Sequence, residues 1–314
     1  MIAIILLDFY SAEDSIAYIK HLCGKMKTVT ERVAFVIVDN SCDDANFQKL
    51  SDAFFTKKSS VWQKSVLEEK NACGYPLFLW KNLHNSGYAI GNNFGAKIAS
   101  EFLQADCYLF SNSDIVVLDG SLNLDRLIKE FEESSVGLVG PAIVGKDGKS
   151  QNPYKEQSLF VRWGYEYLFY PLAKFLPACL NSGDLAEPFE KNPVFRVMGS
   201  FFAIPSKIFN CIGGFDEHTF LFAEELILAK RLQQKGFVVH YIPDIHLLHN
   251  HSTTINKSLN YKQRLVQRFR SEMYYYREYC DVNLFKIILI TLIFYFFLLK
   301  KNFAFLLKKI IKRK

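Results

Sequence analysis

Residues Cys107–Val117 read CYLFSNSDIVV. The run Cys107–Phe110 is wholly apolar, breaks at Ser111-Asn112-Ser113-Asp114, and resumes at Ile115. A short apolar run bounded by turn residues marks a strand buried on both faces that emerges into solvent at its carboxyl end. The same form recurs upstream, where Ile2–Leu7 ends at Asp8, Val33–Val38 ends at Asp39-Asn40-Ser41, and Pro76–Trp80 adds another strand. Between these runs, Ala12–Cys23 (Ile16, Ile19, Cys23) and Tyr88–Phe102 (Ile90, Phe94, Ile98, Phe102) carry apolar residues at helical spacing. Buried strands alternating with helices predict an α/β fold with a mixed, mostly parallel central sheet flanked by helices. Ligands of such sheets bind beyond the carboxyl ends of the strands. Asp8, Asp39 and Asp114 are thus expected along one edge. Each alone also suits a turn or a helix cap, and it is their number at one edge that favours a site.

The composition agrees with a large globular core: 314 residues, 50% hydrophobic and 22% charged. The net charge of +6 is confined to the tail, because residues 300–314 hold seven basic and no acidic residues, leaving 31 basic against 32 acidic elsewhere. A near-neutral body argues against a nucleic-acid partner, which would draw basic residues onto a folded face. The seven cysteines are scattered and form no CxxC or zinc-ribbon spacing. The opening MIAIILLDFY lacks a basic leader and reads as a core strand, so the chain is expected to remain in the compartment that made it.

From 145 to 193 the periodicity weakens into an insertion, GKDGKSQNP followed by aromatics including Phe160, Trp163, Tyr165, Tyr167, Phe169 and Tyr170, with a short helix expected at Leu159–Phe169. These rings suit stacking on a sugar, contact with a membrane, or ordinary packing. Beyond it, Val197–Ile204 reads as a strand, Gly213-Gly214 as a turn, Glu224–Lys235 as a helix ended by Gly236, and Phe237–Ile242 as a further strand. Glu224 and Glu225 fall in that helix's first turn, where the dipole favours acids on any account.

Four segments taken together, FVIVDNSCDD (35–44), NLHNSGYAIGNNFGAKIA (82–99), FSNSDIVV (110–117) and GSFFAIPSKIFNCIGGFDEHTFLFAEEL (199–226), resemble glycosyltransferase family two, especially the rhamnosyltransferase-like members of bacterial O-antigen and capsule synthesis. The resemblance covers residues 1–255 and implies a GT-A fold with a nucleotide-binding half (1–118) and an acceptor half (119–255). It implies a nucleotide-diphosphate sugar donor, such as dTDP-rhamnose or a UDP-sugar, and a divalent cation, Mg²⁺ or Mn²⁺. It further implies inverting transfer to a hydroxyl of a lipid-linked glycan. On that pattern Asp8, Asp39, Asn85, Gly87, Asn92 or Asn93, Asn112 and Ser113 fall on the donor side, and Gly199, Asp216 and Trp163 on the acceptor side. Asp114 falls on the metal position, in the Asn-x-Asp form, and His249 on the family's late histidine, which either completes the metal shell or touches the diphosphate. A hard cation there needs only one or two protein carboxylates when the diphosphate supplies other oxygens. Glu225, or Glu224 beside it, falls on the general base. His246-x-x-His249-x-His251 is not a structural zinc spacing.

Residues 256–314 are expected to be helical. Ile287–Leu299 is thirteen residues without a charge, roughly 20 Å of helix against a ~30 Å hydrocarbon core. The basic KKNFAFLLKKIIKRK that follows makes 284–314 a peripheral or monotopic attachment to the cytoplasmic leaflet, with packing on the domain or on a second copy as the other reading. Two rival functions remain open at this level. One is a nucleotidyltransferase, although DFYSAED supplies no glycine-rich basic phosphate loop; the other is an inactive glycan-binding scaffold, suggested by the altered Asn-Ser-Asp and Glu-Glu.

Overall fold

The computed structural model describes residues 1–26, 32–55, 61–62, 65–66, 70–72, 74–118, 120, 122–165, 185, 192–250 and 260–311, the last eleven by backbone alone. In chain order the elements are β1 (Ile2–Asp8), α1 (Ala12–Lys25), β2 (Val33–Asp39), α2 (Asp44–Phe54), β3 (Lys70–Ala72), β4 (Tyr75–Lys81), α3 (Gly87–Leu103), β5 (Cys107–Ser111), β6 (Ile115–Val117), α4 (Leu124–Ile128) and β7 (Val136–Gly145). A π-helical turn, Phe160–Tyr165, precedes β8 (Phe201–Pro205), α5 (Ser206–Cys211), α6 (Glu224–Gln234), β9 (Val238–His249), α7 (Tyr261–Tyr279) and α8 (Leu284–Ile311).

One nine-stranded sheet runs β3-β4-β2-β1-β5-β8-β7-β9-β6. The block β4-β2-β1-β5 is parallel, β8 is antiparallel to both neighbours, β9 runs parallel to β7, and β3 and β6 close the edges antiparallel. Alternation along β1 sends Ile2, Ile4 and Leu6 into a layer with α1, α2 and α4, and Ala3 and Ile5 into a layer with α3, α5 and α6. Both faces are covered, which explains why the strands are unbroken apolar runs.

The sequence places a strand over Val197–Ile204, whereas β8 begins at Phe201, because Gly199-Ser200 form a turn at the sheet edge. The expected helix over Leu159–Phe169 is instead the short π-helical turn, and residues 166–169 lie outside the described set. The third core cluster joins that turn to the C-terminal helices: Leu159 and Trp163 pack with Ala223 and Ile227 of the α6 region, Phe269 and Met273 of α7, and Phe294 of α8. Among the described residues no helix is long and apolar enough to cross a membrane. Side chains beyond Lys300, and with them the expected amphipathic face of Phe303, Leu306, Leu307, Ile310 and Ile311, lie outside the described set.

Gly87 opens α3 at φ +80°, and a Cβ there would overlap the Phe220 carbonyl oxygen, which accepts a hydrogen bond from Tyr88 N at 3.0 Å. Gly87→Ala combines a left-handed penalty of about 1–2 kcal/mol with overpacking of about 1–3 kcal/mol. Denaturant unfolding should read a loss of about 2–5 kcal/mol on those magnitudes, and a loss below about 1 kcal/mol would contradict the close approach.

Candidate active site

A cleft of ≈ 990 Å³ opens at the carboxyl edge of the parallel strands, lined by Asn40, Asn85, Gly87, Asn112, Ser113, Asp114, Gly199, Glu224, Glu225 and His249 among others. Its first wall is organised by Asn40. The Asn40 amide donates to Asn85 Oδ1 (3.0 Å) and the Gly87 carbonyl (3.2 Å), while its oxygen accepts from Asn82 Nδ2 (3.0 Å), Ser86 N (3.1 Å) and Ser86 Oγ (3.0 Å). The segment 82–87 is thereby held against the end of β2. Asp39, one residue earlier, is fully buried: Oδ1 accepts from Ser41 N and Asn46 Nδ2, and Oδ2 has no hydrogen-bond partner among the described residues. Burial pushes its carboxyl above the usual range, against the pull of the Ser41 hydrogen bonds.

Asp8 does not reach the cleft. Its oxygens accept from Ser11 Oγ (2.9 Å), Ser15 Oγ (2.5 Å) and Asn46 Nδ2 (2.6 Å), so it ties α1 and α2 to the sheet and has little capacity left for a ligand.

The second corner follows from register. Antiparallel pairing of β6 with β9 sets His249 opposite Ile115, after an irregularity between Ile242 and His246 has shifted β9 against β7. The imidazole thus meets the residue preceding β6: His249 Nε2 lies 3.2 Å from Asp114 Oδ2, and Asn250 N donates to the Asp114 carbonyl at 2.7 Å. His249 Nδ1 faces Gln151 Oε1 at 2.8 Å, so both ring nitrogens face oxygen atoms. A neutral imidazole and a carboxylate so placed can share a divalent cation in place of a proton. Among the described residues no three His, Cys, Asp or Glu side chains converge as a ready-made metal site. Asp114 and His249 fit a divalent cation that draws its remaining ligands from substrate oxygens and water. His246 takes no part in this corner of the cleft, and His251 lies outside the described residues.

The third wall carries the two glutamates at the start of α6. Phe222 (φ 72°) and Ala223 (φ 70°) both adopt left-handed backbone immediately before Glu224. Such conformations cost about 1–2 kcal/mol per non-glycine residue and persist where the surroundings over-determine them. Here Ala223 is clamped in the third core cluster and the Leu221 carbonyl accepts from Ser271 Oγ at 2.8 Å. Glu225 is one-third exposed to the cleft, with Gly199 packed beside it: a Cβ on Gly199 would lie 3.5 Å from the Glu225 carboxyl carbon. Gly199 therefore keeps that approach free of side chains, and Tyr88 OH pins its carbonyl at 2.9 Å. Arg196, nearly buried, stacks 3.6 Å from the Tyr154 ring centroid and puts Nη1 3.8 Å from Glu225 Oε1.

Glu224 is buried with Oε1 lacking a hydrogen-bond partner among the described residues. Burial, reinforced by the charge of Glu225, pushes its carboxyl up from 4.5 to about 8. The folded state then binds this proton more tightly than the unfolded state, so the associated stability is full below about pH 4.5 and is lost as pH rises through about 8. Melts of Glu224→Gln should decline less than wild type across that window and gain relative stability at its alkaline end; identical pH slopes would contradict a buried, protonated Glu224.

Four expected ligand-side residues have other work. Asn92 donates back to the Tyr88 carbonyl at 3.0 Å within α3, and Asn93 donates to the Phe215 carbonyl and Glu217 while accepting from Phe215 N. Asp216 is buried, accepts from Tyr279 OH, Tyr274 OH (3.0 Å) and His218 N (2.9 Å), and is ion-paired with Arg231 Nη2 at 3.2 Å, so it latches the 213–219 loop to α7. Against the cost of burial, the Tyr279, His218 and Tyr274 hydrogen bonds hold its carboxyl down to about 2. Trp163 is buried edge-on between Phe269 and Phe294 and cannot stack on a sugar. Conversely, Asn40, Tyr88, Tyr154, Arg196, Arg268 and Glu272 line the cleft without having been singled out. Only Arg196, a lone cation in the apolar run VFRVMGSFFAI, carries a signal in the sequence.

No protein-family model matches the chain. It is 29% identical over 243 residues to the N-acetylglucosaminyl-diphospho-decaprenol L-rhamnosyltransferase of Mycobacterium tuberculosis, covering 75% of this chain and 73% of that protein. It is 23% identical to the low-salt glycan biosynthesis hexosyltransferase Agl10 of Haloferax volcanii over 79% of this chain and 67% of that one. The fold matches the mannosyltransferase PcManGT of Pyrobaculum calidifontis, solved with GDP-Man and Mn²⁺, at TM-score 0.56 and 12% identity, covering 90% of this chain and 64% of that one. The fold is that of the GT-A glycosyltransferases, and the chain is distantly similar to proteins named as rhamnosyl- and hexosyltransferases. The Asn40 wall, the Asp114–His249 corner and the Glu224–Glu225 turn belong to one cleft, whereas Asp8 and Asp39 are buried outside its lining.

Proposed function

We propose that this glycosyltransferase moves a sugar from a nucleotide-diphosphate donor to a hydroxyl of a lipid-linked glycan, with inversion, in surface-polysaccharide synthesis. The observation that carries the reading is the joining in one cleft of the Asp114–His249 corner and a partly exposed Glu225 beside Gly199. The named relatives, which act in rhamnosyl and hexosyl transfer, support the reaction class. In this reading the wall at Asn40, Asn85 and Gly87 receives the nucleoside, while Asp39, fully buried and outside the cleft lining, anchors the end of β2 through Ser41 and Asn46. Asp114 and His249 would hold Mg²⁺ or Mn²⁺, which would supply positive charge against the diphosphate leaving group. Asn112 and Ser113 line the same corner, with Asn112 N held by the Ser200 carbonyl at 2.9 Å.

Glu225 takes the proton from the acceptor hydroxyl as the new C–O bond forms at the anomeric carbon and the bond to the diphosphate breaks. Glu224, protonated at neutral pH, adds no second charge beside that carboxylate. Screening dTDP-, UDP- and GDP-sugars for Mn²⁺- or Mg²⁺-dependent hydrolysis and transfer tests the reading. Turnover of one donor is expected; nucleotide binding without turnover of any would favour a scaffold.

The helix α8 supports attachment to the cytoplasmic membrane face. Ile287, Ile290 and Phe294 are buried on the domain, while Phe285, Ile288, Leu292, Phe296 and Leu299 are exposed at helical spacing, ahead of the seven basic residues of 300–314. Flotation with anionic vesicles should carry the protein, less so at high salt; equal flotation with neutral vesicles would oppose an electrostatic contribution.

A further inference from the structure

The cleft wall formed by α7 contains a cation that the transfer chemistry does not use. Glu272 is 2% exposed, and its oxygens accept from Arg162 Nε (2.9 Å), Arg162 Nη2 (3.0 Å), Trp163 Nε1 (2.7 Å) and Arg268 Nε (2.8 Å). Two guanidiniums on one carboxylate leave a net positive charge. Arg162 spends two nitrogens on the pair and is mostly buried, whereas Arg268 spends only Nε. The Arg268 side chain is 44% exposed, and its two terminal nitrogens have no hydrogen-bond partner among the described residues. Its planar end is therefore anchored at one nitrogen and presented to the cleft with two donors available, a geometry suited to phosphate oxygens.

The same cluster is fixed to an apolar surface. Trp163, which donates to Glu272, packs edge-on against Phe269 and Phe294, and Phe294 lies on α8, whose opposite face is exposed at Phe285, Leu292 and Phe296. A phosphate-binding donor and an unpartnered apolar stripe thus hang from one buried stack. A ligand with an anionic head and a long apolar chain matches both; a free nucleotide matches only the first.

Resting on the reading of a lipid-linked acceptor, we propose that Arg268, held in place by Glu272, binds the phosphate of an isoprenoid-type lipid phosphate or diphosphate. Its donors point that head toward the cleft, which aligns the acceptor's first sugar with the glutamate wall. Phosphate groups reach this cleft from two sources, the acceptor and the nucleotide donor, and the test separates them.

The test is equilibrium dialysis of the full chain with farnesyl diphosphate, farnesol and, separately, UDP, dTDP or GDP with Mn²⁺. Farnesyl diphosphate should bind more tightly than farnesol. Arg268→Ala should weaken farnesyl diphosphate about 10-fold or more, the usual scale for a charge-assisted hydrogen bond, while leaving nucleotide binding unchanged. Arg268→Lys, which keeps the charge but not the fork, should fall between the two, and it decides the matter if the alanine variant does not fold. Equal affinity of wild type and both variants for farnesyl diphosphate would overturn the proposal, as would farnesol binding as tightly. Parallel loss of nucleotide and farnesyl diphosphate would assign Arg268 to the donor's phosphates instead. Arg268-dependent farnesyl diphosphate binding by a protein that binds no nucleotide would leave this site standing and remove the transferase reading.

Discussion

Glu225→Gln should lower transfer by about 10²–10⁴-fold, the usual contribution of a positioned general base, while donor affinity stays near wild type. The asymmetry of the glutamate pair makes this the decisive substitution. Glu225 is one-third exposed to the cleft and lies against the bare backbone of Gly199, whereas Glu224 is buried and held protonated. Glutamine preserves size and removes only the ability to accept a proton, so a loss confined to kcat separates base catalysis from packing. A Glu225→Gln enzyme with full transfer, or a Glu224→Gln enzyme that alone collapses, would reassign the base.

Asp114→Ala should abolish metal-dependent turnover, with a loss of about 10²-fold or more on the scale of electrostatic groups that stabilise developing charge. It should also remove the Mn²⁺ enhancement of nucleotide binding measured by calorimetry. On the proposed reading Asp114 and His249 would supply only two protein ligands, so Mn²⁺ should bind the wild type weakly by itself and more tightly with a nucleoside diphosphate. Tight Mn²⁺ binding without nucleotide, or metal-dependent turnover by the alanine variant, would move the cation elsewhere.

The Asp114 corner was legible because its signal is local: an apolar strand, a turn and an acid place a carboxylate at the sheet edge wherever the strand pairs. His249 needed the family resemblance, since its meeting with Asp114 depends on β6 pairing antiparallel with β9 across more than a hundred residues. Asp8 and Asp39 look alike in sequence, yet Asp8 is saturated by Ser11, Ser15 and Asn46 while Asp39 keeps one oxygen unsatisfied. Asp216 was misplaced because its partners Tyr274 and Tyr279 lie about sixty residues downstream, where no local pattern connects them. Trp163 was misplaced because composition marks an aromatic cluster but not which ring is enclosed. Arg268 and Glu272 went unnoticed because the C-terminal region reads as an attachment segment, whereas α7 supplies part of the cleft wall.

The clamping of Ala223 by Phe269, Met273 and Phe294 has a consequence for biosynthesis. Strands β1 to β9 leave the ribosome before α7 exists, so a nascent chain can assemble the nucleotide edge while the left-handed turn ahead of Glu224 still lacks its support. At about 5–20 residues per second, the interval before α8 emerges lasts seconds. During that interval the turn that carries Glu224 and Glu225 is without the packing of Phe269, Met273 and Phe294 that holds it in place.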